Sequence, residues 1–587
     1  MVVTALLLLL LCLGIVPPTV ADLPIHCERP EVQGEWTLHL GAHVLSKEQA
    51  LEQCHSFTVE KQMRVHLKLP NGVTVDPVDS ESSDTGSGTW TMIYAEGMEL
   101  RLSGKTLFAY FQYQRAKESH GGTTSLCDRT FNGWFRPAGS PQDAATSKGW
   151  GCFQATKSGS VEHSVGDKVE DSFEWNVKGQ PDPEDVKKHL SKGGDATEWD
   201  QDDDYEEEEE EEANTDRLPS LLGNDDDVDR DNGWLGWLRD LDAQIQHFNL
   251  DAMTQQQQQA QEEELLEEAG DVEQQHILFS TVIPMEQQEL FVQELNSAEG
   301  ALWQAEIPGQ DIQQLTHTAV SSLLGNSGDL FDTASVLEFS QATNVGEKKD
   351  SPLPKSWDWR NVDGENFISP VRKQAECGSC YVFAATSMLE ARVRIASKRK
   401  LQPILSIERT LACSKYGQKC GGGWPYLASK FMAEYGVIPE KDFKYEGDGE
   451  KCPKDVLQSS ANFWIRDYFY VGGYYGASTE EKMMREIKDH GPIAVCLQAD
   501  MGLLFYSHGI YHSMEMKTEL TSDFWKPASH AVLVVGWGEE AGQKYWIVKN
   551  SWGATWGEKG YFRIKRGSNE RFVESIPVGI RVELSTP

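Results

Sequence analysis

The chain begins with an unbroken apolar run, Ala5 to Val16, broken by Pro17-Pro18 and followed by the small residues Thr19-Val20-Ala21. A run this short does not span a bilayer comfortably, and small side chains ahead of Asp22 suit a signal peptidase. Residues 1–21 are therefore expected to be a secretory signal peptide, with Asp22 as the mature N-terminus and no membrane attachment after cleavage. Apolar and polar positions then alternate, as in Trp90-Thr-Met-Ile-Tyr94 and Leu107-Phe-Ala-Tyr-Phe-Gln-Tyr113, with polar and glycine-rich turns between. Alternation rich in aromatic and β-branched residues predicts antiparallel strands closing a β domain over 22–175.

Between about 176 and 290 the alternation stops: Asp202 to Asp204, Glu206 to Glu212, Asp225 to Asp227 and Gln255 to Gln259 leave little to bury. Such a stretch cannot offset its chain entropy and is expected to be disordered. A solvated, removable segment accounts for the acid run better than a calcium or partner site does. Amphipathic spacing returns in Leu290 to Leu295 and Leu315 to Leu324, predicting short helices. From Leu353 onward the pattern is that of an α+β globular unit, with a helical run over Val382–Arg392 and buried strands at Ile493–Leu497 and Ala531–Gly536. The resulting division is 1–21, 22–175, 176–352 and 353–587, and 587 residues are too many for one core.

The net charge of -38 changes this picture little, because residues 351–587 carry 31 Lys and Arg against 28 Asp and Glu, so the excess acid lies upstream. No basic stripe with interleaved aromatics is present, which argues against nucleic acid as a partner. Cys12 leaves with the signal peptide, and the other ten cysteines fall into an N-terminal four and a C-terminal six. In an oxidising compartment that grouping suggests two disulfide-stapled domains. Zinc is a poor alternative, since Cys377-x-x-Cys380 has no second pair and no nearby histidine, and no metal is expected.

The chemistry concentrates in the last part. Cys380 stands at the start of the helical run, where unpaired backbone N–H groups favour a thiolate. Its own N–H and the side-chain amide of Gln374 form a candidate oxyanion hole. His530, 150 residues downstream at the head of an apolar strand, is the candidate base. Asn550 would accept from the imidazole and fix its tautomer, with Trp552 covering that bond. Singly, His530 reads as well as a strand histidine and Asn550 as a turn former; in this order and spacing they point to nucleophilic catalysis. Cys496 reads as a free core cysteine.

Gln374-x-x-Cys377-Gly378-Ser379-Cys380, Cys420-Gly421-Gly422-Gly423, His530-Ala531-Val532 and Asn550-Ser551-Trp552-Gly553-x-x-Trp556-Gly557 resemble the motifs of papain-family cysteine peptidases. Tyr381 after the nucleophile, Trp424-Pro425-Tyr426, Tyr470-Val471-Gly472-Gly473 and Asp22-x-Pro24-x-x-Cys27 resemble its dipeptidyl-peptidase branch. The resemblance covers about three quarters of the mature chain and leaves the acidic, Gln-rich stretch without a counterpart. It implies a two-lobed papain-like fold, preceded by an antiparallel β-barrel exclusion domain and a partly disordered propeptide. It also implies disulfides Cys27–Cys127, Cys54–Cys152, Cys377–Cys420 and Cys413–Cys452. Asp442 stands where relatives carry one more cysteine.

By the same resemblance the activity would be removal of dipeptides from free N-termini of peptides and proteins, through a thioacyl-enzyme intermediate. Asp22 would pair with the substrate's α-amino group, Ile576 would floor the second-residue pocket, and Tyr426 and Tyr470 would hold a chloride ion, although core packing alone would also explain these residues. Activation by another protease, a cut near residues 516–521, a homotetramer, and a lysosome-like, vacuolar or secreted location are further implications. Two alternatives stay open: an endopeptidase with a repurposed N-terminal domain, and a secreted binding protein with an inactive peptidase fold.

Overall fold

A computed structural model describes residues 27–42, 54, 56–76, 86–115, 123–137, 149–159, 284–298, 300–309, 352–449, 451–514 and 528–584. Asp22, the signal peptide, the acidic stretch, Leu315 to Leu324 and the cut expected at 516–521 lie outside them.

The N-terminal domain is built from β1 (Gly34–Leu40), β2 (Lys61–Lys68), β3 (Gly72–Val75), β4 (Ser87–Ile93), β5 (Gly97–Leu102), β6 (Lys105–Arg115), β7 (Thr123–Thr130), β8 (Gly133–Pro137) and β9 (Gly151–Lys157). Every pairing is antiparallel, and β1 closes on β9 while β6 also pairs β8. Closure removes the free edges that would otherwise template association. Leu100, Leu107, Phe111 and Trp36 share one core with Trp90 and Phe153, whereas β6 is buried on both faces, since Phe108 on its other side meets Tyr416 of the C-terminal part. Cys27–Cys127 and Cys54–Cys152 cross-link it over sequence separations of 100 and 98.

The segment ahead of residue 353 contributes α1 (Met285–Ser297) and β10 (Trp303–Ala305). The helix falls where amphipathic spacing predicted one, with Phe291 and Leu295 on its buried side. The strand was not foreseen. Asn296 holds it, accepting from the Ala305 N–H at 2.8 Å and donating to its carbonyl at 2.9 Å. A single side chain satisfying both backbone groups outweighs the weak β signal of three residues.

Besides short helical turns, the C-terminal part contains β11 (Trp357–Asp358), α2 (Cys380–Ala396), α3 (Ile407–Cys413), α4 (Pro425–Tyr435), β12 (Trp464–Tyr470), α5 (Glu480–His490), β13 (Ile493–Ala499), β14 (Tyr506–Tyr511), β15 (Ala528–Glu540), β16 (Gln543–Lys549), β17 (Tyr561–Lys565) and β18 (Val578–Glu583). One twisted sheet runs β10-β14-β17-β16-β15-β13-β18-β12, so the β10 strand extends it. Helix α2 packs against β15, β13 and β18. It is buried from Cys380 through Arg394, and that explains why its sequence shows no clean polar face. Its charged members are satisfied inside: Glu390 takes Arg372 at 2.9 Å, Arg392 takes Glu486 at 2.8 Å, and Arg394 donates to the Ile368 and Pro403 carbonyls.

The barrel docks on α4 and β12. Tyr94 stacks on Trp424 with ring centroids 3.8 Å apart, Arg101 donates to Asp467 and to the Tyr468 carbonyl at 2.7 Å each, and the Tyr475 N–H reaches Thr91 Oγ at 3.0 Å. Beneath them Glu99 accepts from Tyr468 Oη at 2.8 Å and Tyr426 Oη at 3.2 Å.

Candidate active site

Two lobes supply the site. Cys380 is the first residue of α2, 5% exposed, and its position is fixed from behind by the Cys377–Cys420 disulfide. The fit there is tight: a Cβ at Gly378 would lie 2.6 Å from the Cys420 carbonyl oxygen. Cys413–Cys452 staples the same lobe, and Cys496 is free and buried in β13.

His530 enters from β15, opposite Leu497 of β13, and is fully buried. Asn550 follows the last residue of β16, and its Oδ1 lies 2.8 Å from His530 Nε2 and accepts the Ser551 N–H at 2.8 Å. Two donors on one atom identify it as the oxygen, so Nε2 carries the imidazole proton and Nδ1 is the lone-pair nitrogen. Nδ1 has no hydrogen-bond partner among the described residues. A buried acceptor left without a donor is costly, and one at a catalytic position is a base ready for a proton. Trp552 stacks on the imidazole, centroids 4.8 Å apart, and Trp556 meets Trp552 edge-on at 4.8 Å, so water is kept from the His530–Asn550 bond.

Opposing effects act on the Cys380 thiol. The N–H groups of Ala531, Tyr381 and Cys380 favour the thiolate, as a helix N-terminus should, but burial outweighs them and pushes the thiol up to about 11. Burial likewise pulls His530 down to about 4 against its bond to Asn550. Burial thus acts on both groups toward their neutral forms, against the local hydrogen bonds that favour charge.

Gln374 is fully buried, its Oε1 receiving Ser551 Oγ at 2.6 Å and its Nε2 donating to the Cys377 carbonyl at 3.0 Å. Ser551 was not singled out from the sequence, although it lies inside the Asn550 motif. Its hydroxyl orients the amide so that the N–H end, not the oxygen, faces the nucleophile's loop.

Ile576 is buried in the core. Tyr426 and Tyr470 stack at 4.4 Å, but their hydroxyls differ. That of Tyr426 donates to the Glu99 carboxylate, which leaves its backbone N–H, in the first turn of α4, as the group Tyr426 can offer an anion. The hydroxyls of Tyr470 and of Tyr94, which meets it edge-on at 5.9 Å, are buried, and neither makes a well-formed hydrogen bond among the described residues, although the Tyr426 and Tyr94 N–H groups and the other phenol lie close. Two buried phenols beside the Tyr426 N–H at a helix N-terminus are a donor set that fits a small anion. Tyr94 comes from the barrel, where it adopts φ 52 in the turn after β4; no local sequence signal places it here. Among the described residues no cluster of His, Cys, Asp and Glu could hold a metal.

Comparison with known proteins adds to this geometry. Residues 353–580 match the family model of papain family cysteine proteases, and residues 22–157 match that of the cathepsin C exclusion domain. The chain is 41% identical over 233 residues to a cathepsin C of Schistosoma mansoni, covering 38% of this chain and 51% of that protein. It is 33% identical to a cathepsin B-like cysteine proteinase of Caenorhabditis elegans, covering 41% of this chain and 69% of that one. It is 30% identical to dipeptidyl aminopeptidase 1 of Plasmodium falciparum, covering 40% and 45%. The matched region thus spans about half the length of the first and last of these relatives.

Proposed function

The chain belongs to the papain family of cysteine proteases, and on that premise we propose that it is a dipeptidyl peptidase whose N-terminal barrel limits the cleft to two substrate residues. The observation that carries the reading is the barrel itself, matched to an exclusion domain and docked on α4 and β12 through Tyr94, Glu99 and Arg101.

In the proposed reaction, Cys380 Sγ attacks the carbonyl after the second residue while its proton moves to His530 Nδ1. The developing oxyanion receives the Cys380 N–H and a Gln374 amide proton. Collapse expels the amine, which takes the proton from Nδ1 and leaves a thioester on Cys380. Water attacks that thioester, giving a proton back to Nδ1, and the thiolate departs to recover it. Asn550 holds the imidazole in the one tautomer able to do both transfers. Asp22, as the mature N-terminus, would supply a carboxylate to the substrate's α-ammonium, and Ile576 would close the second pocket. Tyr470, Tyr94 and the Tyr426 N–H fit chloride, whose negative charge would satisfy the two phenols and stiffen the aromatic layer. A secretory route, proteolytic activation by removal of the acidic segment, a homotetramer, and a lysosome-like or secreted location complete the proposal.

The test is a dipeptidyl reporter and its N-acetylated form, each assayed with and without chloride. Efficient turnover of the free amine alone, weakened without chloride, is expected. Equal turnover of both reporters makes the enzyme an endopeptidase, and indifference to chloride removes the anion site. A chain that fails to react with a thiol-alkylating epoxide would instead be a non-catalytic binding protein.

A further inference from the structure

The two oxyanion donors sit on separate turns of one loop, and a side chain from elsewhere in the sequence joins those turns. Tyr445 packs its ring edge-on against Phe383 of α2, centroids 5.0 Å apart, and its Oη lies 2.7 Å from the Gln374 carbonyl and 2.7 Å from Ser379 Oγ. A carbonyl only accepts and a phenol has one proton. Tyr445 therefore donates to Gln374, and Ser379 must donate to Tyr445. The chain Ser379 Oγ–H to Tyr445 Oη–H to Gln374 C=O has a single possible direction, and serial bonds of this kind strengthen one another.

The residues it links are the ones that matter for the reaction. Gln374 carries the side-chain donor, and Ser379 immediately precedes Cys380, whose N–H is the other. Tyr445 is itself anchored. Its N–H goes to Glu440 at 2.8 Å, and the Glu408 carboxylate gathers the N–H groups of Glu446, Gly447 and Gly449 at 3.1, 3.2 and 3.0 Å. Burial holds the Tyr445 phenol well above its ordinary range, so the proton stays on Oη throughout the working pH.

We infer that Tyr445 is a positioning residue for oxyanion stabilisation, setting the spacing between the Gln374 amide and the Cys380 N–H through its hydroxyl. The inference rests on the peptidase reading above. It makes a distinctive demand: loss of the hydroxyl should hurt steps that build charge on a carbonyl oxygen and spare steps that need only the thiol. Without it, the fully buried Ser379 hydroxyl keeps only long contact with the Cys377 carbonyl at 3.4 Å, and the Gln374 carbonyl loses this donor.

The experiment compares Tyr445→Phe with wild type after maturation of the full chain. It reads kcat and KM on the dipeptidyl reporter, affinity for a peptide aldehyde, which forms a tetrahedral adduct, and the rate of Cys380 alkylation by iodoacetamide, which forms none. Losing a whole oxyanion donor costs 100-fold or more in known cases, so mispositioning is expected to lower kcat about 10-fold. Expected with it are KM within about twofold, a parallel loss of aldehyde affinity, and alkylation within about twofold. A kcat within twofold of wild type, or alkylation falling in step with kcat, overturns the inference. Ser379→Ala cuts the same chain from the other end and carries the test if Tyr445→Phe does not fold; the double variant should cost no more than the worse single. Wild type and Cys380→Ser run alongside: an inactive wild type sinks the peptidase reading itself, whereas an active wild type with an unaffected Tyr445→Phe sinks only this inference.

Discussion

Replacing Glu99 by Gln should loosen the barrel from the peptidase, and the cost can be worked from its surroundings. The Glu99 side chain is fully buried and receives Arg101 Nε at 3.1 Å, Tyr468 Oη at 2.8 Å and Tyr426 Oη at 3.2 Å. Burial alone would raise its pKa, but the charges of Arg101 and Lys430 and the Tyr468 hydroxyl outweigh it, and the carboxyl ends below its ordinary value. Breaking a buried pair on one side costs about 3–5 kcal/mol. Here Arg101 keeps Asp467 at 2.7 Å and the Tyr468 carbonyl, which places Glu99→Gln near the lower end, at about 3 kcal/mol.

The sign with pH follows. A carboxyl whose folded pKa is depressed contributes stability that is complete above 4.5 and lost as pH falls through the folded value. Glutamine does not titrate, so the gap between wild type and variant should be widest near neutrality and narrow below pH 4.5. Urea unfolding followed by tryptophan fluorescence is a suitable assay, because Trp424 stacks on Tyr94 at the same interface. A gap under about 1 kcal/mol at pH 7, or one that widens toward acid, would refute the reasoning.

Two further outcomes are expected. Asn550→Ala removes the acceptor that fixes the His530 tautomer, and a hydrogen bond that becomes charged in the transition state is worth about 1.5–3 kcal/mol, so kcat should fall about 10- to 100-fold with KM nearly unchanged; an equal rise in KM would mean the substrate pocket had moved instead. His530, depressed from 6.5 to about 4, makes stability complete above pH 6.5 and lost progressively toward pH 4, on the order of 3 kcal/mol. His530→Gln should abolish that portion of the pH dependence in thermal unfolding, and an unchanged profile would show that the imidazole is not held neutral.

Individual elements of the chain were legible because burial imposes periodicity. Alternation in Trp90–Tyr94 and Leu107–Tyr113 marks β4 and β6, and the apolar run after His530 marks β15, since a strand covered on both faces has no reason to alternate. The Cys380 helix was legible for the same reason, although it starts two residues earlier and ends four later than the pattern suggested. Strand β10 was not, because its stability comes from Asn296 and from pairing with β14, neither visible in three residues. The burial that opposes a thiolate at the helix N-terminus was not legible, because a helix N-terminus is a local feature whereas burial comes from neighbours in space.

The sequence by itself supplied the candidates for the chemistry: Cys380, His530, Asn550 and Gln374 are of the types a cysteine peptidase needs, at recognisable spacings. The tertiary structure alone decided how they are supported. It brings Tyr445 to the Gln374 and Ser379 turns, 71 and 66 residues away, places Ser551 on the Gln374 amide across 177, and sets Glu99 and Tyr94 of the barrel against tyrosines more than 300 residues downstream. Nucleophile and base are chosen by covalent chemistry, which is a property of single residues. Orientation, hydration and proton affinity belong to neighbours in space, and no local pattern in the chain encodes those neighbours.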